Sequence, residues 1–218
     1  MKFTFKISAK IKEVWPLYKL HFGTFILLML ISCGIQAIGS KDNFILSIIS
    51  SILSIIVFYV WVKYVLNLID KNDYNPLTMK ALPTLGQFWN LLKTMFLNGL
   101  CVLGGLILLI VPGFYIAGRL SFSSYISIEK NQGARATIKE AWKMTEGYGW
   151  LLLWKTFVIG LFIILGFIAL FVGAFITYPI GVFLLVMMYR EFLKMKSVIS
   201  SNANPDLSPR ESRVEATI

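Results

Sequence analysis

Six long apolar stretches run through this chain, and they limit its fold more than any other feature of the sequence. They are Phe22–Ile38, Phe44–Ile69, Leu91–Val111, Phe114–Ile128, Trp150–Phe171 and Phe175–Leu193. Most of them approach or exceed the roughly 20 residues that a helix needs to cross a ~30 Å hydrocarbon core. Because their apolar residues are continuous and do not alternate, they predict transmembrane helices and not the strands of a barrel.

Composition and charge support a membrane location. Hydrophobic residues make up 57% of the 218 residues, which is too apolar for the surface of a soluble domain. The net charge is +10, yet the loops on one side of the predicted spans carry Lys41 as their only cation. Positive loops stay in the cytoplasm, so the sequence predicts a multi-pass protein with both termini cytoplasmic. The basic face predicts anionic membrane lipids as partners and argues against nucleic acid.

Three tryptophans, Trp15, Trp89 and Trp142, mark an internal repeat. Around each of them, mainly apolar or small residues recur at offsets −8, −4, −1 and +3, which trace one face of a helix. Lys, Glu, Gln and Asn occupy the opposite face. Each site is followed by an apolar span, a break and a second span. The sequence therefore predicts three repeats in parallel orientation, each an interfacial amphipathic helix plus a helical hairpin.

The predicted domain organisation follows from these repeats. The repeat units cover about residues 7–70, 81–130 and 134–196, within a single transmembrane domain of residues 1–199. Residues 200–218 are polar and contain proline, which predicts a disordered cytoplasmic tail.

Residues that favour turns separate the two spans of each predicted hairpin. Residues 39–43 all favour turns, and Val111-Pro112-Gly113 combines a helix stop with a conformationally permissive glycine. The third turn is expected within residues 172–179, where Gly173 and Pro179 are the available breakers.

A family resemblance centres on residues 111–147. Residues 111–122 read VPGFYIAGRLSF, Ile128-Glu129-Lys130 follows, and residues 134–147 read ARATIKEAWKMTEG. This resembles the YciC-like family of bacterial integral membrane proteins and the membrane domain of some bacterial glycerophosphodiester phosphodiesterases. Their pattern is a PG-hydrophobic-R turn into a span, an acidic residue at its end, and an A-x-x-x-S-W-x-L-T-x-G helix.

This chain departs from the family pattern in two places. Glu140-Ala141 stands where the pattern prefers a small polar residue before the tryptophan, and Met144 replaces leucine. The resemblance implies a module of the bacterial inner membrane without the catalytic phosphodiesterase domain.

The fourth predicted span is unusually polar. Tyr115, Arg119, Ser123 and Ser127 are spaced by four residues, so a continuous helix would place them on one face. An ionisable residue at depth usually faces a bundle interior or a wet cavity, which makes this face a candidate site for an anionic ligand or lipid head group. The alternative is structural: Arg119 extends to outer-leaflet phosphates, and the serines bond their own helix.

Aromatic and basic residues at the predicted interface are candidate anchors. They are Trp15, Lys19, Trp89, Lys93, Trp142 and Lys143. Tryptophan and lysine commonly fix helices at the membrane surface. Because the pattern occurs three times, it also predicts a ring of helices in contact with lipid.

The sequence contains no pattern typical of a catalytic, metal or cofactor site. His21 is the sole histidine, Cys33 and Cys101 lie within spans, and no H-E-x-x-H, G-x-S-x-G or phosphate-loop motif occurs. The predicted spans also lack the carboxylates that proton-driven transporters normally display.

We therefore expect a membrane protein that is not an enzyme and that organises lipid or supports the envelope. Two alternatives stay open. One is a transporter or carrier with an anionic ligand at Arg119. The other is an accessory subunit with a membrane-protein partner, or a homo-oligomer.

Overall fold

The structure, a computed structural model, describes residues 5–39, 43–70, 82–108, 110–168 and 172–203. Within these residues the regular secondary structure is entirely helical, which confirms the all-α class. In chain order the helices are α1 (Ile7–Leu20), α2 (Phe22–Gly39), α3 (Phe44–Ile69), α4 (Leu85–Leu108), α5 (Ile110–Arg119), α6 (Ser123–Lys130), α7 (Ala134–Met144), α8 (Gly149–Ile168) and α9 (Val172–Ala203).

Four helices of the described part are long and apolar enough to cross a membrane. These candidate spans are Phe44–Ile69, Leu85–Ile107, Gly149–Gly166 and Ile176–Ile199. A fifth is added if α1 and α2, which are bent by 87° to each other, count as one broken span. The described residues therefore form a helical protein with four to five candidate membrane spans.

The fourth predicted span is two helices and not one. A turn over residues 120–122 separates α5 from α6. Each helix is too short to cross the hydrocarbon core alone, since α5 has 10 residues and α6 has 8.

The described residues belong to two compact units. One unit is formed from residues 8–89 and 161–184, and the other from residues 1–7, 90–160 and 185–218.

The first of these units contains an antiparallel hairpin of α2 and α3. Ser50 Oγ donates to the carbonyl of Ile35 at 3.0 Å, and the rings of Phe25 and Trp61 lie 5.5 Å apart. Small hydroxyl-bearing residues let two helix backbones approach closely in a membrane. Asn43 begins α3 by accepting a hydrogen bond from the backbone two residues ahead at 3.0 Å.

The second unit contains an antiparallel hairpin in which α4 pairs with α5 and α6. Its register is marked by the pairs Asn98–Ser123 at 3.2 Å, Thr94–Ser127 at 3.3 Å and Asn90–Asn131 at 3.2 Å. Close to the turn, a Cβ on Gly105 would lie 2.8 Å from the Cα of Gly113. Glycine at these positions therefore lets the two helices come together where the hairpin closes.

A turn over residues 145–148 joins α7 to α8 in the same unit, and it depends on a glycine. Gly147 has a φ of +78°, a conformation that residues with a side chain rarely adopt. Beside this turn, Phe122 is buried among aromatic rings, with Tyr189 at 5.5 Å and Phe192 at 5.6 Å.

The predicted positions of two hairpin turns were wrong. Helix α9 is continuous over residues 172–179, with Pro179 inside it, so the third turn does not lie there. Residues 169–171 lie outside the described residues. Proline is tolerated in membrane helices because neighbouring groups can satisfy the freed carbonyl. Pro112 lies in the first turn of α5, where a backbone N–H is not needed, so residues 111–113 are helical and do not form the second turn.

Separate helices, α1 and α7, occur at two of the three predicted amphipathic sites. In both, the residue before the tryptophan and the residue three after it are buried, namely Val14 and Tyr18 in one case and Ala141 and Thr145 in the other. At the third site the structure differs from the prediction. Trp89 lies within α4 itself, because no helix breaker occurs between it and the apolar part of that helix.

The end of the predicted domain falls near the limit of the described residues. Helix α9 continues through Ala203. Most of the predicted tail, and residues 40–42 of the first predicted turn, lie outside the described residues.

Candidate functional site

Arg119 ends α5 as a buried cation, with 6% of its surface exposed. Its Nη1 donates to the Tyr115 hydroxyl at 3.1 Å, and its Nη2 donates to the carbonyl of Trp142. The guanidinium carbon also lies 4.4 Å from the centroid of the Trp142 ring. The side chain is therefore held by one residue of its own helix and by one residue of α7.

The partner of the guanidinium is a helix terminus, since Trp142 belongs to the last turn of α7. Carbonyls there have no partner within the helix, and the helix dipole makes this end partially negative. In the described part of the chain no carboxylate pairs with Arg119, and its Nε has no hydrogen-bond partner. The terminus of α7 thus takes the place that a carboxylate would hold in an ion pair.

The surrounding backbone leaves room for this arrangement. A Cβ on Gly149 would lie 2.7 Å from the Tyr115 ring and 3.0 Å from Arg119 Cδ, so a larger residue would displace both. Thr145 is fully buried, and its hydroxyl lies 2.8 Å from the carbonyl of Arg119 and 2.7 Å from that of Ala141. Arg119 is consequently bound to the α7–α8 turn through both its side chain and its backbone.

The four polar residues predicted to share one face do not form one site. Tyr115 and Arg119 come together, whereas Ser123 bonds to Asn98 at 3.2 Å and Ser127 bonds to Thr94 at 3.3 Å on α4. The turn at residues 120–122 changes the helical phase, so the spacing of four residues no longer keeps the two pairs aligned.

The predicted anchors are exposed in the structure. Trp15 is 40% exposed, Trp89 49% and Trp142 40%. Lys19 lies 5.4 Å from the centroid of the Trp15 ring, a favourable cation–π distance. Lys93 and Lys143 are also exposed. Trp142 contacts Arg119, and part of its own surface is still exposed.

Sequence reasoning missed a buried carboxylate, Glu140. Glu140 is 8% exposed and accepts hydrogen bonds from Lys130 at 2.7 Å and Gln132 at 2.6 Å. The spacing in the sequence could have indicated this burial, because Glu140 falls three residues after Thr137 and therefore on the same buried face of α7. A carboxylate on such a face needs a partner when it is buried.

A second carboxylate in the same unit is also bonded. Glu129 accepts a hydrogen bond from the Tyr189 hydroxyl at 2.7 Å and from Arg190 at 2.5 Å. Both carboxylates therefore act as structural ties between helices. Within the described residues, no three His, Cys, Asp or Glu side chains come together as metal ligands.

Comparison of the chain with protein-family models, with curated proteins and with solved structures finds no match.

Proposed function

We propose that this protein is a non-enzymatic protein of the bacterial inner membrane that organises anionic lipid or supports the envelope. The observation that carries this proposal is the exposure of Trp15, Trp89 and Trp142, which are accompanied by exposed lysines. A long apolar helix follows Trp15 and Trp142, and Trp89 lies near the start of one. Tryptophan and lysine at a membrane surface bind the interface and its anionic head groups. The resemblance to YciC-like proteins supports the inner-membrane location in this proposal.

The topology that we propose has six crossings and both termini in the cytoplasm. In it, α5 and α6 together form one broken crossing, and α1 and α7 lie along the cytoplasmic interface. The near-perpendicular bend of 87° between α1 and α2 supports this placement, because one helix can then lie flat while the next crosses. The matching burial around Trp15 and Trp142 supports the proposed repeats.

The environment of Arg119 favours the lipid-organising role over transport. Its guanidinium already donates to Tyr115 and Trp142, so the groups that would bind an anionic substrate are engaged within the protein. A substrate would have to displace these bonds. We therefore give Arg119 a structural role in this proposal, and the transporter alternative has no specific observation in its favour.

The test is the lipid preference of the reconstituted full-length protein. Spin-labelled phosphatidylglycerol and phosphatidylcholine are compared in mixed vesicles, and the motionally restricted fraction of each is measured. We expect an anionic preference of about fivefold for each favourably placed cation, which weakens between about 0.1 and 1 M salt as the Debye length shortens. Equal restricted fractions for the two lipids at low salt would overturn the proposal.

A matched pair of variants locates the effect. Lys19→Gln with Lys143→Gln removes two of the predicted anchors, whereas Lys41→Gln removes the one cation on the opposite loops. We expect the first change to reduce the anionic preference and the second to leave it unaltered. An equal loss of anionic preference in both variants would contradict a lipid contact specific to the cytoplasmic face.

A further inference from the structure

A groove of about 580 Å³ opens between α4 and the start of α7, within one compact unit of the protein. We call it the α4–α7 groove. It is lined by Asn90, Lys93, Phe96 and Leu97 of α4 and by Gly133–Ala136 at the start of α7. Sites for small ligands commonly enclose about 300–1,000 Å³. The groove is therefore large enough for part of an amphiphilic molecule.

Two cations on opposite walls give the groove its charge. Lys93 comes from α4 and Arg135 from the first turn of α7, and both side chains are exposed. Neither forms an ion pair or a hydrogen bond with another described residue. By contrast, the nearby Lys130 is occupied by Glu140 at 2.7 Å. The positive charge of the groove is therefore not neutralised by the described residues and can bind a negatively charged partner.

The polarity of the groove changes along α4 in the order found in a phospholipid. Asn90 and Lys93 come first, and the apolar Phe96 and Leu97 follow toward the interior of the candidate span. Seven residues of helix separate Asn90 from Leu97, which corresponds to about 10 Å. A phosphate at the cationic end would place its acyl chain against the apolar end.

The local backbone holds this groove open. Asn90 Nδ2 donates to Asn131 Oδ1 at 3.2 Å and so joins α4 to the segment that leads into α7. On the α7 side the groove is lined by Gly133, Ala134 and Ala136, whose small size leaves its volume unfilled. Phe96 is 69% exposed, which leaves its ring available to an acyl chain.

From this charge and polarity order we infer that the α4–α7 groove binds one anionic phospholipid, with its phosphate at Lys93 and Arg135 and an acyl chain against Phe96 and Leu97. The inference rests on the proposed function, since it assigns a defined lipid site to a protein that organises lipid. A soluble phosphate lacks the chain that the apolar end accommodates, and a zwitterionic lipid gains less from the two cations.

The test counts lipid that stays bound to the full-length protein after purification in mild detergent, by native mass spectrometry with added phosphatidylglycerol or phosphatidylcholine. The wild type is expected to hold one phosphatidylglycerol in preference to phosphatidylcholine. Lys93→Gln with Arg135→Gln should weaken that binding by about fivefold per cation, or about 25-fold in total. The control Lys12→Gln with Lys139→Gln removes two exposed cations outside the groove and should leave the bound lipid in place.

Further variants and a competitor separate the loss of lipid binding from misfolding and from binding of another ligand. Lys93→Arg with Arg135→Lys keeps both charges and should retain the lipid, which shows that loss in the glutamine variant is not misfolding. Phe96→Ala should weaken binding, whereas Phe114→Ala, at a comparably exposed phenylalanine outside the groove, should not. Inorganic phosphate at millimolar concentration should not displace the lipid.

Three outcomes would overturn the inference. The first is wild-type lipid retention in the double glutamine variant, and the second is displacement by inorganic phosphate alone. The third is a change of oligomeric state with unaltered lipid binding, which would assign the groove to a second copy of the chain. If vesicle selectivity persists while any of these is observed, the groove assignment fails and the proposed function stands.

Discussion

Substitution of Arg119 by methionine and by lysine distinguishes a structural arginine from one that binds a ligand. Methionine keeps the length and the apolar packing of the side chain but removes the charge and all donors. Lysine keeps the charge but loses the planar group that reaches two acceptors at once. A ligand-binding role predicts that lysine is the milder change, and our structural account predicts the reverse.

The magnitudes follow from the contacts of the guanidinium. Its bond to the Trp142 carbonyl contributes about 1.5–3 kcal/mol, its bond to Tyr115 about 1 kcal/mol, and its stacking on the Trp142 ring about 1–2 kcal/mol. Methionine loses these but also removes the cost of burying a cation, which is several kcal/mol. We therefore expect a net loss of about 1 kcal/mol for Arg119→Met.

Lysine retains the cost of burial and can reach only part of the same acceptors. We expect Arg119→Lys to lower the free energy of unfolding by about 3 kcal/mol, more than the methionine variant. The assay is equilibrium unfolding of the purified protein in mixed micelles with increasing dodecyl sulfate, followed by tryptophan fluorescence and circular dichroism. A lysine variant as stable as the wild type, or more stable than the methionine variant, would refute the reasoning.

Three further substitutions and one control test the packing around this site by the same unfolding assay. Gly118→Ala places a Cβ against the backbone of α8 and should lower the free energy of unfolding by about 2 kcal/mol. The control Gly160→Ala meets no atom within 4 Å and should be neutral or slightly stabilising, so equal effects of the two changes would contradict the close approach of α5 and α8. Thr145→Val removes a buried hydroxyl whose single proton is shared between two carbonyls and should cost about 1 kcal/mol, so an unaltered stability would argue against this bond. Glu140→Gln leaves Lys130 without its counter-charge and should cost about 2 kcal/mol at low salt, and a stabilised variant would count against the Lys130–Glu140 ion pair.

The helical class and the positions of the apolar helices were predictable, because continuous apolar runs have one stable backbone form in lipid. The agreement is closest for α3, whose bounds are those predicted. The break between α5 and α6 was not predictable from hydropathy. Residues 120–122 contain no glycine or proline, and the turn is set by packing such as that of Phe122 against Tyr189 and Phe192.

An unusual environment for Arg119 could be predicted, but its partners could not. A lone cation in an apolar segment indicates a special environment, yet no local pattern identifies a helix terminus 23 residues later as the acceptor. A spacing of four residues places Ser123 and Ser127 on the same face as Arg119 only if the helix is unbroken. The α4–α7 groove was also invisible in the sequence, since Lys93 and Arg135 lie 42 positions apart and meet only through the fold.

The most direct test of the central claim is the lipid composition around the protein in its own membrane. The full-length chain is extracted with a polymer that cuts discs of native bilayer, and the lipids of those discs are compared with the bulk membrane by mass spectrometry. The account predicts enrichment of anionic phospholipid that falls when Lys93 and Arg135 are both replaced by glutamine. A disc composition equal to that of the bulk membrane would contradict it.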